Sequence, residues 1–402
     1  MIPGAGDAGT LLTCLFASKG FRQSADRSAL RRNRQTVQSL ASRGLGYSRP
    51  PLRKRQKRPV DPDTVGGQAK PRLEYGSDAP SSQLQQPLRD EDPEIWRVYD
   101  AIRNTPGAVA LLGEVIRDTL GQIYDGQWTG RWDYRQLNKT EKTHVGTLIQ
   151  INVQKALGLV DGERLDYKIA GVEVDCKWSM SMGGWEIPQE MYCNWGPQIA
   201  LVIWGNDYTS RWAAGLVRTE ESYLRPVGKQ RDKKRRLNEA GLSRIIWLQP
   251  GGDLVPNTLL RLSAEQRARI LGSQSGQACV NSLFYEVQGQ LVDRATVLTA
   301  AMQADSLKRV RDARKHLRAY GIVIFGHYAP HPDLATRLGL PRPELGSFVS
   351  ARLVPADVNW PDAKIEIQGG HWRLAEEGDP VATAPELPEQ GREKQLPVIA
   401  VP

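Results

Sequence analysis

Leu165-Asp166-Tyr167-Lys168-Ile169-Ala170-Gly171-Val172-Glu173-Val174-Asp175-Cys176-Lys177 is two alternating runs broken by Ala170-Gly171. Alternation with a period of two marks half-buried strands, and a two-residue break between such runs predicts a β-hairpin. That turn pairs Ile169 with Val172, Lys168 with Glu173, and Asp166 with Asp175. Val172, Val174 and Cys176 then share an apolar face, while Asp166, Lys168, Glu173, Asp175 and Lys177 share the other. Two carboxylates directly opposite, about 5 Å apart at the β-carbons, repel each other. A divalent cation between them reverses the sign of that term, and Mg²⁺ favours a few carboxylates plus waters. Asp166 and Asp175 are therefore candidate metal ligands, with the backbone carbonyl of Cys176 as a further oxygen. Lys177, on the same face, can orient a water or stabilise charge on a phosphate, which is what metal-assisted phosphodiester hydrolysis requires. A solvated charge ladder with Lys168–Glu173 as a surface pair accounts for the same pattern, and the hairpin alone leaves both readings open.

Upstream, Ile95, Val98, Tyr99 and Ile102 follow a helical spacing. Further helices are predicted over 107–122 and 139–157. The last has Asn138 as N-cap, Glu141 completing a capping box and Gly158 as its stop. Strands follow at 165–169, 172–178, 199–204 and 212–217. Helices first and strands after indicate an α/β (α+β) architecture, a mixed sheet flanked by helices. Gln249-Pro250-Gly251-Gly252-Asp253 reads as a linker. A second unit follows, with helices at 264–271, 277–288, 294–301 and 305–317 and strands at 322–325, 349–354 and 363–368. The predicted organisation is an N-terminal extension 1–91, a first domain 92–248, a linker 249–256, a second domain 257–385 and a loose tail 386–402. Trp178, Trp185, Trp195, Trp204 and Trp212 are expected in the core.

The chain has 402 residues, 40% hydrophobic, enough to build real cores. Its four cysteines, Cys14, Cys176, Cys193 and Cys279, are scattered, form no CxxC pair, and suit a reducing, cytoplasmic setting. The longest apolar run, near Ile199 to Trp204, is too short to cross a membrane. The net charge of +9 sits in the extension. Residues 1–90 hold 16 Lys and Arg against 7 Asp and Glu, leaving 38 of each in the remainder. DNA binding by residues 91–402 would thus use local clusters and not a global field. The extension reads as disordered. Its stretch Leu11 to Leu40 has transit-peptide composition, and Arg53-Lys54-Arg55 with Lys57-Arg58 can serve as a nuclear signal or phosphate-binding arm, or simply as a solvated tail.

Beyond generic pattern, the hairpin resembles the PD-(D/E)xK nuclease core, and the chain resembles the NaeI-type (type IIE) restriction endonuclease family. The stretches that carry the resemblance are Leu120-Gly121-Gln122-Ile123-Tyr124-Asp125-Gly126-Gln127, Lys139-Thr140-Glu141-Lys142-Thr143-His144-Val145-Gly146-Thr147-Leu148 and Ile169 through Lys177. Leu201-Val202-Ile203-Trp204, Ala214-Gly215-Leu216-Val217 and Val354-Pro355-Ala356-Asp357 extend it across roughly residues 92–385. The resemblance implies a homodimeric, Mg²⁺-dependent type II endonuclease that cuts both DNA strands at a short palindrome. It also implies a second, catabolite-activator-like DNA-binding domain, of a kind found in some topoisomerases, that binds another copy of the site and stimulates cleavage. A restriction role further implies a paired DNA methyltransferase. Asp166, Asp175 and Lys177 match the family's catalytic acids and lysine. The family's glutamate on the preceding helix is Gln150 here. That change admits an alternative, a sequence-specific DNA-binding protein whose cleavage is impaired. Ile123-Tyr124-Asp125-Gly126 also resembles the Lys-Tyr-Asp-Gly of DNA ligases, but isoleucine cannot form a covalent adenylate.

In the second domain, helices at 294–301 and 305–317 around Met302-Gln303-Ala304 have helix-turn-helix spacing, with 322–325 starting a wing. Lys308, Arg309, Arg311, Arg314, Lys315 and Arg318 are the candidate DNA-binding residues, Asp312 being the acid among them. The loop Lys229, Arg231, Lys233, Lys234, Arg235 and Arg236 reads equally as a backbone-tracking patch or an exposed linker. His327 and His331 are expected as loop histidines, and His144 in an ordinary hydrogen-bonded role.

Overall fold

A computed structural model describes residues 57–64, 86–194, 196–228, 232–273 and 275–388. The transit-like stretch, Arg53-Lys54-Arg55, Trp195, Lys229 and Arg231 lie outside the described residues.

The first lobe opens with α1 (Pro93–Arg103), α2 (Ala108–Tyr124) and a short α3 (Gly126–Thr129). Helix α4 (Lys139–Leu157) follows. Its capping box forms as the sequence predicts. The Asn138 side chain accepts from the Glu141 N–H at 2.9 Å, and the Asn138 N–H donates to the Glu141 carboxylate at 3.0 Å. Gly158, left-handed at φ 64°, ends the helix. The strands are β1 (Val160–Asp161), β2 (Tyr167–Ile169), β3 (Val172–Ser179), β4 (Ile199–Asn206), β5 (Arg211–Arg218) and, after α5 (Glu239–Ser243), β6 (Ile246–Asp253). They form one sheet in the order β1-β2-β3-β4-β5-β6. The β3–β4 pair is parallel and the other pairs are antiparallel. Val98, Leu112, Ile116, Val145, Ile149 and Leu201 pack α1, α2 and α4 on one face. Trp185, Trp204 and Trp247 fill the other face, so both sides of the central strand β4 are buried.

The predicted linker at 249–256 is a correction. Residues up to Asp253 belong to β6, with Gly252 opposite Trp212 and Asp253 opposite Arg211. Pro250 is tolerated because β6 is an edge strand and needs no donor on its free side. A register shift between Trp212 and Ala214 absorbs the irregular Pro-Gly-Gly. Leu254 is buried in the first lobe's core, so the passage between lobes narrows to the residues just before Asn257.

The second lobe holds α6 (Thr258–Arg261), α7 (Ala264–Leu271), α8 (Gly276–Glu286), β7 (Leu291–Asp293), α9 (Arg294–Ala301) and α10 (Lys308–Leu317). It continues through β8 (Ile322–Phe325), α11 (His331–Arg337), β9 (Ser347–Pro355), β10 (Ile365–Ile367) and β11 (Gly370–Leu374). The strands lie in the order β10-β11-β9-β7, with β8 also on β9. Trp132 of the first lobe inserts into this lobe's core beside Leu259, Val280 and Phe284.

Two further expectations change. Residues 57–64, read as part of a disordered extension, lie against the protein, because their acids neutralise Arg135 and Arg267. Residues 386–388, read as loose, are tied down: Arg318 pairs with Glu386, and the Pro388 carbonyl accepts from His331 Nε2 at 3.0 Å.

Candidate active site

The hairpin forms in the predicted register, with Ile169 opposite Val172, Lys168 opposite Glu173 and Tyr167 opposite Val174. Ala170 (φ 49°) and Gly171 (φ 82°) are both left-handed, as a two-residue hairpin turn requires. The ladder ends there, and Asp166, one residue before β2, brings its carboxylate beside Asp175. The ladder reading of the charged face does not survive. Lys168 pairs with Glu163 at 2.8 Å, not with Glu173. Glu173 instead accepts from the backbone N–H groups of Glu163, Arg164 and Leu165. Asp175 is not solvated but 6% exposed.

A carboxylate that deep needs partners. Asp175 Oδ2 is buried, and Lys177 Nζ lies against it as an ion pair. Burial pushes the Asp175 carboxyl well above the usual carboxylate range; Lys177 opposes this and the neighbouring Asp166 adds to it. Asp166 is held in place from two sides. Gln150 Nε2 donates to Oδ1 at 2.6 Å, and the Cys176 N–H donates to Oδ2 at 2.7 Å. Tyr167, fully buried, donates its hydroxyl to the Gln150 carbonyl at 2.7 Å and so ties α4 to the hairpin. Burial also pushes the Cys176 thiol up to about 12, so its sulfur is a neutral core group.

A buried carboxylate, a second carboxylate beside it and a lysine against the first fit a hard divalent cation. Asp166 and Asp175 are the carboxylates that would hold it. Among the described residues no group of three or more His, Cys, Asp or Glu converges, so further oxygens would come from Gln150, the Cys176 carbonyl or water. Gln150, Asp166, Asp175, Cys176 and Lys177 are thus brought together. Tyr167 was missed: its alternation places it on the apolar face, and nothing in the sequence shows what its hydroxyl meets.

The basic helix divides. Lys308, Arg311 and Lys315 are exposed, spaced three and four apart on one face of α10, and form no ion pair among the described residues. The other three candidates have partners within the chain. Arg309 pairs with Asp305 at 2.6 Å, Arg314 donates to the Ile324 carbonyl at 2.9 Å, and Arg318 donates to the Ala384 carbonyl at 3.0 Å. In the 229–236 loop, Arg235 is buried against the Arg225 and Leu224 carbonyls, and Lys234 and Arg236 pair with Glu186. His144 is exposed, with no hydrogen bond to its ring among the described residues, because it lies on the solvent side of α4. His331 is buried at the start of α11, with Nδ1 accepting from the Gly326 N–H at 3.3 Å.

The Ile123-Tyr124-Asp125-Gly126 stretch lies at the joint between lobes. Tyr124 donates to Asp207 Oδ2 at 2.7 Å, Arg117 pairs with the same carboxylate, and Asn257 reaches it at 3.1 Å from the second lobe. A β-carbon at Gly126 would overlap the Thr299 hydroxyl of α9, so glycine is required there. Gln127 donates to the Gln303 carbonyl, in the turn between α9 and α10, at 2.7 Å.

The family model described as "Restriction endonuclease NaeI" matches residues 96–383, which spans the hairpin, the joint and most of the second lobe. The type II restriction enzyme NaeI of Lentzea aerocolonigenes is 46% identical over 314 residues, which is 76% of this chain and 97% of that protein. The chain therefore belongs to the NaeI restriction endonuclease family.

Proposed function

We propose that this chain is a cytoplasmic type II endonuclease that hydrolyses phosphodiester bonds at a specific site in double-stranded DNA. The observation that supports it most is the buried Asp175 carboxylate beside Asp166 and paired with Lys177, in a chain of this family. Asp166 and Asp175, with Gln150 and the Cys176 carbonyl as further oxygens, would hold a divalent cation, Mg²⁺ by the hardness of the oxygen donors. When bound, that cation supplies Lewis-acid stabilisation of the phosphate and an acidified water. Lys177 stabilises charge on the scissile phosphate and shifts from Asp175 toward it. Gln150 keeps Asp166 aimed, and Tyr167 keeps Gln150 in place. The Gln150 amide donates to Asp166, a bond that a glutamate carboxylate could not make, and the family match does not favour the impaired-binder reading.

The second lobe is proposed as a winged-helix DNA-binding domain, with α10 presenting Lys308, Arg311 and Lys315 to a second copy of the site. Binding there stimulates cleavage in the first lobe. A homodimer serves two strands, and a paired methyltransferase protects host DNA. The catalytic domain ends near Leu254 and the second begins near Asn257. The test is cleavage of a supercoiled plasmid with Mg²⁺ or Mn²⁺ by wild type, Asp175→Ala and Gln150→Glu. Discrete fragments that vanish with Asp175→Ala support the reading, and their ends give the site. No cutting by any variant under either metal refutes it.

A further inference from the structure

Residues 57–64 lie upstream of the matched family region, yet they bridge both lobes. On the second lobe, Arg58 donates to the Thr299 carbonyl at 2.7 Å and the Ala300 carbonyl at 2.5 Å. Those carbonyls end α9, where a helix leaves acceptors unsatisfied and favours a cation. Asp61 takes two hydrogen bonds from Arg267, at 2.6 and 3.1 Å. Arg267 is 1% exposed and lies over the Trp132 ring, so its charge has little recourse to water. Asp63 bonds Arg267 at 2.6 Å on one side and Arg135 of the first lobe at 2.8 Å on the other. Gln136 reaches the Val60 carbonyl at 3.3 Å. Arg135 and Gln136 lead directly into Asn138, the cap of the helix that carries Gln150.

We propose that residues 57–64 are a clamp that couples the helix-turn-helix of the second lobe to the entrance of the catalytic helix α4. One end grips the last turn of α9, immediately before the turn and α10. The other end grips the segment that starts α4. The basic pair Lys57-Arg58 is thus not a free arm, since Arg58 is spent on helix carbonyls. Asp63, whose carboxyl is held below the usual range by Arg135 and Arg267 against the cost of burial, stays charged and keeps both ends joined. The coupling role rests on the reading that the second lobe is an effector site; the docking does not.

The experiment compares the full chain, a chain lacking residues 1–85, and the full chain with Arg58→Ala or Asp63→Asn. Hydrogen exchange of the α9 and α4 N-terminal amides is read beside the thermal midpoint. Cleavage of a single-site duplex is measured with and without an added second duplex bearing the same site. The truncated chain is expected to lose protection in α9 and to unfold about 10 °C lower, because buried Arg267 keeps the Leu259 and Leu262 carbonyls but loses both of its carboxylates. In the full-length variants, basal cleavage is expected within about threefold of wild type, while stimulation by the second duplex falls by about fivefold or more. Unchanged exchange and midpoint in the truncated chain overturn the docking. Equal losses of basal and stimulated cleavage, or intact stimulation, in the full-length variants overturn the coupling. If the full chain itself shows no stimulation, the effector reading fails and the coupling with it, while the exchange data still decide the docking.

Discussion

The carboxylate pair of the β2–β3 hairpin and the lysine–arginine stripe of α10 are both clusters of like charge, and they handle repulsion in opposite ways. At the hairpin, Asp175 is buried beside Asp166 and only partly offset by Lys177, so the repulsion is retained inside the protein. On α10, Lys308, Arg311 and Lys315 project into water, where their mutual repulsion is screened within about 8–10 Å. A buried pair favours a compact multivalent cation that both groups can contact at once. An exposed stripe favours an extended polyanion, which it meets through counterion release and not through a fixed cavity. Charge of one sign says little about its ligand until burial is known.

The largest break in that comparison is expected from Asp175→Ala. Plasmid cleavage should fall below detection while gel-shift binding persists, because α10 is untouched. Lys177→Ala should lower the single-turnover cleavage rate by roughly 10²–10³, the usual effect of removing one group that stabilises transition-state charge. Gln150→Glu sharpens the comparison by adding a third carboxylate. The Mg²⁺ concentration giving half-maximal cleavage should fall by roughly tenfold, and the metal-free protein should unfold at a lower temperature. On α10, Lys308→Ala, Arg311→Ala and Lys315→Ala should each reduce the salt dependence of DNA binding by about 0.9 in log–log slope. Arg314→Ala should leave that slope alone and lower the thermal midpoint, since its guanidinium serves the Ile324 carbonyl.

The smallest expected effect is one of pH. Burial is the main cause that holds His331 neutral, lowering its pKa from 6.5 to about 4, and nearby Arg314 adds to it. The unfolded chain therefore binds one more proton than the folded chain between those values. Stability should be full above about pH 6.5 and decline as pH falls toward 4, by up to roughly 2 kcal/mol. His331→Gln followed by urea unfolding across that range should flatten the decline.

Much of the hairpin was legible in the sequence because its causes are local. Alternation in Val172-Glu173-Val174 and the turn at Ala170-Gly171 set the register, and a register sets which side chains face each other. Helix α4 was legible for the same reason, since its cap and stop are side-chain and backbone effects within one turn. The Gln249 to Asp253 stretch misled because Pro and Gly punctuate loops on average, while an edge strand accepts them. The six basic candidates, five in α10 and Arg318 just after it, look equivalent in sequence. Only the packing of β8 and the C-terminal residues against the helix removes Arg314 and Arg318 from the solvent face.

By itself, the sequence determined the catalytic helix, the hairpin pairing and the family, since these depend on residue types at short, countable spacings. The tertiary structure decided that Asp175 is buried, that Tyr167 anchors Gln150, and that Asp61 and Asp63 reach Arg267 across some two hundred positions of chain. Burial and long-range ion pairs depend on which surfaces exclude water from one another, and no spacing along the chain encodes that.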